Sequence, residues 1–326
     1  MESKKRFKNK YIICGDGGYY DIGYNDIKKL PCVSYHNSYI SGINNSILKR
    51  IARLNFSKKV NAIKKEPFSR LVYPILYPHP FKSSDSLCFL FFGHVEYVFQ
   101  SSYLQYLRET YPNVKLVLYM QDLVRRNPRL DFEYCQRNFD LILSYDKGDC
   151  QKYNLLFHPT PMSKVKVDED STLPESDIYF CGYAKSRYPL VNELYQKYTD
   201  LGLKCDFHLM QYPENEERID GVHYNEPFFS YQKNIQHVLK TRCVLEVMQE
   251  GADGYTPRVW ESIVYNRHLL TNNKVLHTSE FFNSSNMHKI EEDNILEWIG
   301  RDVNYTQQEQ NLLSPVHLLE FIDKQL

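Results

Sequence analysis

The chain has 326 residues, more than one ordinary domain needs, so two domains of about 150 residues each are expected. Hydrophobic residues make up 42% and aromatics 14%, enough for real cores. The 40 basic and 40 acidic residues balance, so bulk charge argues neither for nor against a polyanionic partner; only local patches can. The eight cysteines show no CxxC pair and no metal-ligand spacing, and several sit in apolar runs, as buried free thiols do in a reducing compartment.

In chain order, the basic start "MESKKRFKNKYIICGDGG" has an apolar run that ends at Gly15, too short for a signal-peptide core. No later run approaches the ~18 apolar residues of a spanning helix. A soluble, cytoplasmic protein is expected. Strands are predicted at "YIICG", "SLCFLFFG", "VKLVLYM" and "FDLILSY", with a helical period in "SSYLQYLRETYP" that Pro112 ends. Between the first two strands, "NNSILKRIARLNFSKKVNAIKKEPFSRLVYPILY" interleaves Lys and Arg with apolar residues, and Glu66 is its only acid. Such a stretch suits a membrane-surface helix, and equally an exposed basic helix packed on its own domain, which weighs somewhat more. No nucleic-acid recognition module accompanies it.

The segment 161–176 loses apolar periodicity and gains Pro, Ser and acid, so it reads as a linker between domains at 1–160 and 177–326. Its Asp168 and Asp170 have the spacing of a metal-binding Asp-x-Asp pair, but short acidic runs are usually solvated, and no metal is required. Beyond it, "DIYFCG" leads through a loop to the helix "YPLVNELYQKYTDLG", with Gly202 as its cap, and then to the strand "KCDFHLM". Strand, helix, strand in that order implies parallel pairing with helical crossovers, hence two doubly wound sheets. A final amphipathic helix, "SPVHLLEFIDKQL", is assigned to the second domain, with Ser314 as cap.

The segment "DGYTPRVWES" is the densest in chemistry. Thr256 suits an N-cap and Pro257 the first helical position. Val259, Trp260, Ile263 and Val264 form an apolar face, while Arg258, Glu261, Ser262 and Tyr265 fall on the opposite, polar one. Gly254 permits close backbone approach, and the helix start and Arg258 converge where a pyrophosphate could sit. Glu261, a turn further, could accept hydrogen bonds from a ribose diol. A solvated Arg–Glu pair on an ordinary helix is the plainer alternative.

These residues resemble the glycosyltransferases of the GT-B fold. Asp253 and Glu261 are separated by seven residues, with "GYT" after the first and a helix carrying the second. That family has two acids at this spacing in its C-terminal domain, the first more often Glu. "RHLLTNN" stands where the family has a short apolar strand, with "NRH" in place of its Gly-Pro turn. "TPRVWES" also looks like the exostosin-type and capsule- or spore-coat-type branches. A second match is "DIYFCGYAKSRYPLV", a strand ending in Gly182 followed by Lys185 and Arg187, where the family binds donor phosphates. The resemblance implies two Rossmann-like domains facing a cleft, the first for the acceptor. It also implies a nucleotide-sugar site of Gly182, Lys185, Arg187, Asp253, Gly254, Tyr255, Thr256, Arg258 and Glu261.

In the first half, "CGDGGYYD" resembles the family's glycine-rich first loop, through Asp16, Gly17 and Gly18. In "LVLYMQDLVRR", Gln121 replaces the family's His and Asp122 remains; His94 and Glu96 follow another strand. Asp16, His94, Glu96 and Asp122 are therefore the candidates for a catalytic base. The implied activity is transfer of a hexose or deoxyhexose from a UDP- or GDP-sugar to a glycan or lipid-linked glycan of a surface polysaccharide, capsule or lipopolysaccharide. No separate cofactor is needed, and retention is slightly favoured by the acid spacing. A sugar-nucleotide epimerase and a non-catalytic nucleotide-sugar-binding protein are the alternatives.

Overall fold

The computed structural model describes residues 7–15, 17, 19–168, 172–227, 230–249, 254–276, 283 and 285–326. It divides into two compact units, residues 1–163 with 314–326, and residues 164–313.

The first unit is built on a six-stranded sheet of order β2-β1-β3-β4-β5-β6. Its strands are β1 (Lys10–Cys14), β2 (Val33–His36), β3 (Leu87–Phe92), β4 (Lys115–Met120), β5 (Leu141–Ser144) and β6 (Leu156–Phe157). Every neighbouring pair is parallel. A parallel sheet is covered on both faces by its crossovers, which is why β3 reads as an unbroken apolar run and is buried throughout. Side chains alternate between two cores. Ile12, Phe89, Phe91, Leu116 and Leu118 point into one. Tyr11, Ile13, Leu90, Val117 and Tyr119 point into the other.

The second unit repeats the plan. Its strands are β7 (Ser176–Tyr183), β8 (Cys205–Met210), β9 (His223–Tyr224), β10 (Thr241–Glu246), β11 (His268–Thr271) and β12 (Met287–Lys289). Their order is β12-β11-β10-β7-β8-β9, again all parallel. The helix Tyr188–Asp200 connects β7 to β8, and Gly202, just past its end, takes the left-handed φ of +83° that closes the turn. These sheets are the two doubly wound sheets the sequence predicts. Among the described residues no cysteine is joined in a disulfide. Among the described residues, no helix is long and apolar enough to cross a membrane.

The C-terminal helix, Pro315–Gln325, departs from expectation. It belongs to the first unit, not the second. Leu318, Leu319 and Ile322 join Tyr11, Ile13 and Val117 in the core on one face of the first sheet. Asp323 fixes the docking. Its carboxylate, 6% exposed, accepts from the Lys8 backbone N–H, Asn9 Nδ2 and the Tyr11 hydroxyl, each at 2.6 Å. Nothing near the helix in sequence announces a partner more than 300 residues away.

Removing this carboxylate takes the acceptor from the Lys8 N–H and Asn9 Nδ2, while the Tyr11 hydroxyl keeps the Leu319 carbonyl at 2.9 Å. Asp323→Ala is expected to destabilise the first unit by about 2–4 kcal/mol. Urea unfolding monitored by tryptophan-independent probes of that unit, such as its amide-exchange protection, would show it. An unchanged midpoint would refute the docking role.

Candidate functional site

In the second sheet, strand order reverses at β7. The chain goes from β7 outward to β8 and β9 on one side, then returns to β10, β11 and β12 on the other. The loops after β7 and β10 therefore part in opposite directions, leaving room at the carboxyl ends of these two strands. Gly182 lies near the end of β7, Arg187 ends the short turn Lys185–Arg187 after it, and Arg258 opens the helix Pro257–Tyr265 that follows β10.

The two guanidiniums meet over Gly182. A Cβ there would stand 2.5 Å from Arg258 Nη2 and 2.7 Å from Arg187 Nη2, so only glycine lets both close in. Phe180 forms the floor, its ring centre 4.9 Å from Arg258 Cζ and 5.5 Å from Arg187 Cζ. Arg187 is 8% exposed and donates from Nε to the Tyr183 carbonyl at 3.0 Å and from Nη1 to the Val247 carbonyl at 2.7 Å. Arg258 donates to the Cys181 carbonyl. Among the described residues, no carboxylate lies within ion-pair distance of either guanidinium.

Burial, reinforced by the neighbouring Arg258 charge, pushes Arg187 down to about 9. Arg187 is still cationic at neutral pH. Two like charges packed together in a poorly solvated place favour a shared anion. A pyrophosphate, with several oxygens and a forked geometry to match, fits that demand.

Behind them lies Glu246, fully buried at the end of β10. Its Oε1 accepts from the Thr256 side chain and, at 3.3 Å, from the Thr256 backbone, and its Oε2 accepts from Thr271 at 2.5 Å. Burial raises its pKa, which the Thr256 and Thr271 hydrogen bonds and Arg258 oppose. The Thr256 side chain thus turns to Glu246 and makes no cap bond to its own helix.

The helix itself corrects a second expectation. Its polar face is not solvated: Glu261, Ser262 and Tyr265 are buried with Val259, Trp260, Ile263 and Val264, and Arg258 is half-buried. The helix is flanked on that side by the helix Tyr231–Lys240 and by residues near Val165. Tyr265 accepts from the Val165 backbone N–H at 3.1 Å, and Asn234 Nδ2 donates to Glu261 Oε1 at 3.0 Å. Glu261 is 3% exposed, and burial lifts its pKa to about 7 against the opposing pull of Arg258. Tyr255, expected at the ligand, is core: it is 1% exposed and packs edge-on to Trp260 at 5.3 Å. Gly254 is buried and its carbonyl accepts from Asn273 Nδ2 at 3.1 Å. Lys185 is exposed, with Nζ 3.4 Å from Gln249 Oε1. Asp253 lies outside the described residues.

In the first sheet the order reverses between β1 and β3. His94 follows β3 and Asp122 follows β4, adjacent strands, and His94 Nδ1 lies 3.5 Å from Asp122 Oδ2. Two of the candidate bases are thereby paired, with Asp122 mostly exposed. The loop carrying Asp122 is anchored by Arg125, which donates to the buried Asp146 at 3.1 Å and Asp149 at 2.8 Å. Glu96 faces elsewhere, 3.9 Å from Arg129. Gln121 is buried and donates to the Tyr24 hydroxyl at 3.1 Å. Gly17 has a φ of +69°, while Asp16 and Gly18 lie outside the described residues. So does Asp170; the carbonyl of Asp168 accepts from Gln236 at 3.1 Å.

Glu246, Phe180 and Asn234 escape sequence reasoning. An acid ending the apolar run "CVLEV" is the one signal that points to Glu246.

Because the folded state keeps Glu261 protonated up to about pH 7 while the unfolded chain ionises near 4.5, this group stabilises the fold fully only below pH 4.5. Its contribution falls as pH rises through 7. Glu261→Gln is expected to flatten that decline, read as urea midpoints between pH 5 and 8. Parallel pH profiles for the two proteins would contradict the burial of an ionisable Glu261.

No family model matches the chain, and no curated protein does. Solved structures do align. A trehalose-6-phosphate synthase studied with bisubstrate glycomimetics is 9% identical over 97% of this chain and 96% of its own, with a TM-score of 0.50. An α,α-trehalose-phosphate synthase (UDP-forming) from Burkholderia vietnamiensis is 9% identical over 97% and 95%, with a TM-score of 0.49. An α-glucosyltransferase in complex with UDP-glucose and abasic DNA is 13% identical over 79% and 78%, at 0.46. The shared feature is the fold: two Rossmann-like domains, the architecture of the GT-B glycosyltransferases.

Proposed function

We propose that the chain is a glycosyltransferase that takes a sugar from a nucleoside-diphosphate donor held by its second unit. The observation that carries this reading is the convergence of Arg187 and Arg258 over Gly182, at the reversal of strand order. In such a reaction the acceptor hydroxyl attacks the anomeric carbon, the bond from that carbon to the diphosphate oxygen breaks, and negative charge grows on the leaving group. Fixed guanidiniums stabilise that charge where it develops, with no metal required. Glu261 is 3% exposed and accepts from Asn234, so we assign it to holding the helix Pro257–Tyr265 in place rather than to a ribose diol.

The proton of the acceptor has two destinations. With retention it goes to the leaving phosphate, and we favour this slightly, by analogy with the trehalose-6-phosphate synthase of like fold, studied for glycosyltransfer with retention. With inversion a base must take it, and the paired His94 and Asp122 of the first unit are candidates for that role. The acceptor we propose is a glycan or lipid-linked glycan of a surface polysaccharide.

A lipid-linked acceptor accords with the surface of residues 46–72. Ile47, Ile63 and Leu71 are 68%, 92% and 49% exposed, among exposed Arg50, Arg53, Lys58, Lys59, Lys64 and Lys65. Glu66, the only acid there, is turned inward, accepting from the Tyr73 hydroxyl at 2.6 Å and the Ser102 N–H at 3.1 Å. What remains outside is cationic and apolar, suited to an anionic bilayer surface. Vesicles containing phosphatidylglycerol should bind the protein, and Lys58→Glu with Lys59→Glu should weaken binding at least tenfold. Equal binding to neutral phosphatidylcholine vesicles would remove this contact.

The donor site is tested by calorimetric titration with UDP, GDP, CDP and ADP, with and without Mg²⁺. One diphosphate should bind, metal or no metal, and Arg258→Ala should weaken it about 10- to 100-fold, the worth of a charge-assisted contact of roughly 1.5–3 kcal/mol. Gly182→Ala should weaken it as well, by driving the two guanidiniums apart. No binding of any diphosphate to folded protein would sink the reading. Binding without sugar transfer to any acceptor would favour a nucleotide-sugar-binding protein.

A further inference from the structure

At the other edge of the second sheet, five side chains form a cluster that donor binding does not use. Asp206 and His208 lie on β8, His223 on β9, Glu226 just after it, and His237 on the helix Tyr231–Lys240. The inner half is self-consistent. Asp206 offers Oδ1 to His208 Nε2 at 2.8 Å and Oδ2 to His237 Nδ1 at 2.6 Å, one oxygen for each ring N–H.

The outer half is not. His208 Nδ1 faces Glu226 Oε2 at 3.1 Å, so both nitrogens of one imidazole point at carboxylates. A neutral imidazole has a single N–H, and Asp206 already holds it. In the neutral ring a lone pair then faces a carboxylate oxygen, a contact that either a second ring proton or a bound cation makes favourable. His223 stands ready to share that cation. Its ring stacks on His208 at 4.5 Å and 9°, and its Nδ1 lies 3.0 Å from Glu226 Oε1.

We propose that His208, His223 and Glu226 bind a divalent transition-metal ion of the zinc class. The three ligand atoms lie within 4.8 Å of one another. The two contacts to Glu226, at 3.0 and 3.1 Å, approach the roughly 3.3 Å between neighbouring donors around a tetrahedral ion with bonds of ~2.0–2.1 Å. Two imidazoles and one carboxylate are a donor set for zinc, cobalt or nickel, and not for magnesium or calcium, which take oxygen. His223 and Glu226 are exposed, so an ion can enter from solvent and small ring rotations can close the site, with water as fourth ligand. Asp206 acts as the positioning residue: by accepting from Nε2–H it fixes the His208 tautomer that presents Nδ1 to the metal.

The ion would pin β9, a two-residue edge strand, to β8. Loss of diphosphate binding would not touch this proposal, because the two sites share no residue.

The test is titration of the intact, metal-stripped protein with Zn²⁺ against a chromogenic chelator, repeated with Co²⁺ to read the visible spectrum. One equivalent of Zn²⁺ should bind and raise the melting temperature. His223→Ala and Glu226→Gln, both at exposed positions, should each weaken it at least tenfold while keeping the native circular dichroism. Asp206→Asn should weaken it less, with Co²⁺ still showing nitrogen and oxygen ligation. Absence of stoichiometric binding would overturn the proposal, as would binding unchanged in His223→Ala. A thiolate-to-cobalt band would also overturn it, by placing the ion on a cysteine. So would a metal-free protein in which NMR finds both nitrogens of His208 protonated at neutral pH, since a proton would then fill the place assigned to the metal.

Discussion

Parallel pairing is the constraint on which the rest depends. A strand cannot pair in parallel with its predecessor without a crossover, and crossovers of one hand cover both faces of the sheet. All the strand ends that follow pairing therefore gather along one edge. At that edge the backbone is released from the ladder, and side chains that a buried strand cannot carry become affordable at its end. Gly182, Glu246 and the turn to Arg187 all stand there. The reversal of order between β7 and β10 then separates two loops and two crossovers, so cationic side chains from both approach one point. The first sheet obeys the same logic, and it is why His94 and Asp122, from neighbouring strands, meet.

At the ends of β7 and β10 the charged side chains are held by dipoles and, among the described residues, not by ion pairs. Arg187 is held by two carbonyls and a ring face, Arg258 by a third carbonyl and the same ring. Glu246 is held by hydroxyls and an amide. Neutral partners position a charge without cancelling it. Had Glu246 reached the guanidiniums directly, it would have occupied the place we propose for the diphosphate. The contrast is Arg125, whose charge is consumed by Asp146 and Asp149 and serves to hold a loop.

How much of this is legible in the sequence follows from how local each signal is. The strands of the sheet centres announce themselves, because burial on both faces forces continuous apolar runs such as "LCFLFF". The edge strands do not: β9 and β12 are two and three residues long and half polar, below any periodicity. The positions of Gly182, Arg187 and Arg258 are legible because each stands at a fixed offset from a strand or helix start. The exposure of the helix that begins at Pro257 is not, since its polar residues are arranged for solvent and are covered instead by another helix. Glu261 looks like half of a surface pair and is a buried acid. Likewise, Pro315–Gln325 is plainly an amphipathic helix, yet its partner face is set by Leu318 and Asp323 meeting residues from the start of the chain. The His208, His223 and Glu226 cluster has no recognisable spacing, because β8–β9 pairing, not sequence proximity, brings it together.

The division of labour between cation and metal follows from these placements. A transferase needs positive charge at its leaving group, and that charge can be a bound ion or a side chain. A side chain must be desolvated and rigid to act strongly, and both conditions carry a folding cost. Here the cost is met structurally: Phe180 supplies a flat apolar floor, Gly182 supplies room, and carbonyl ends of β7 and β10 supply the acceptors that keep the guanidiniums in place without neutralising them. The donor set that suits a transition metal lies instead on β8 and β9, beyond β7 from the arginines. The proposed metal and diphosphate sites thus share no residue.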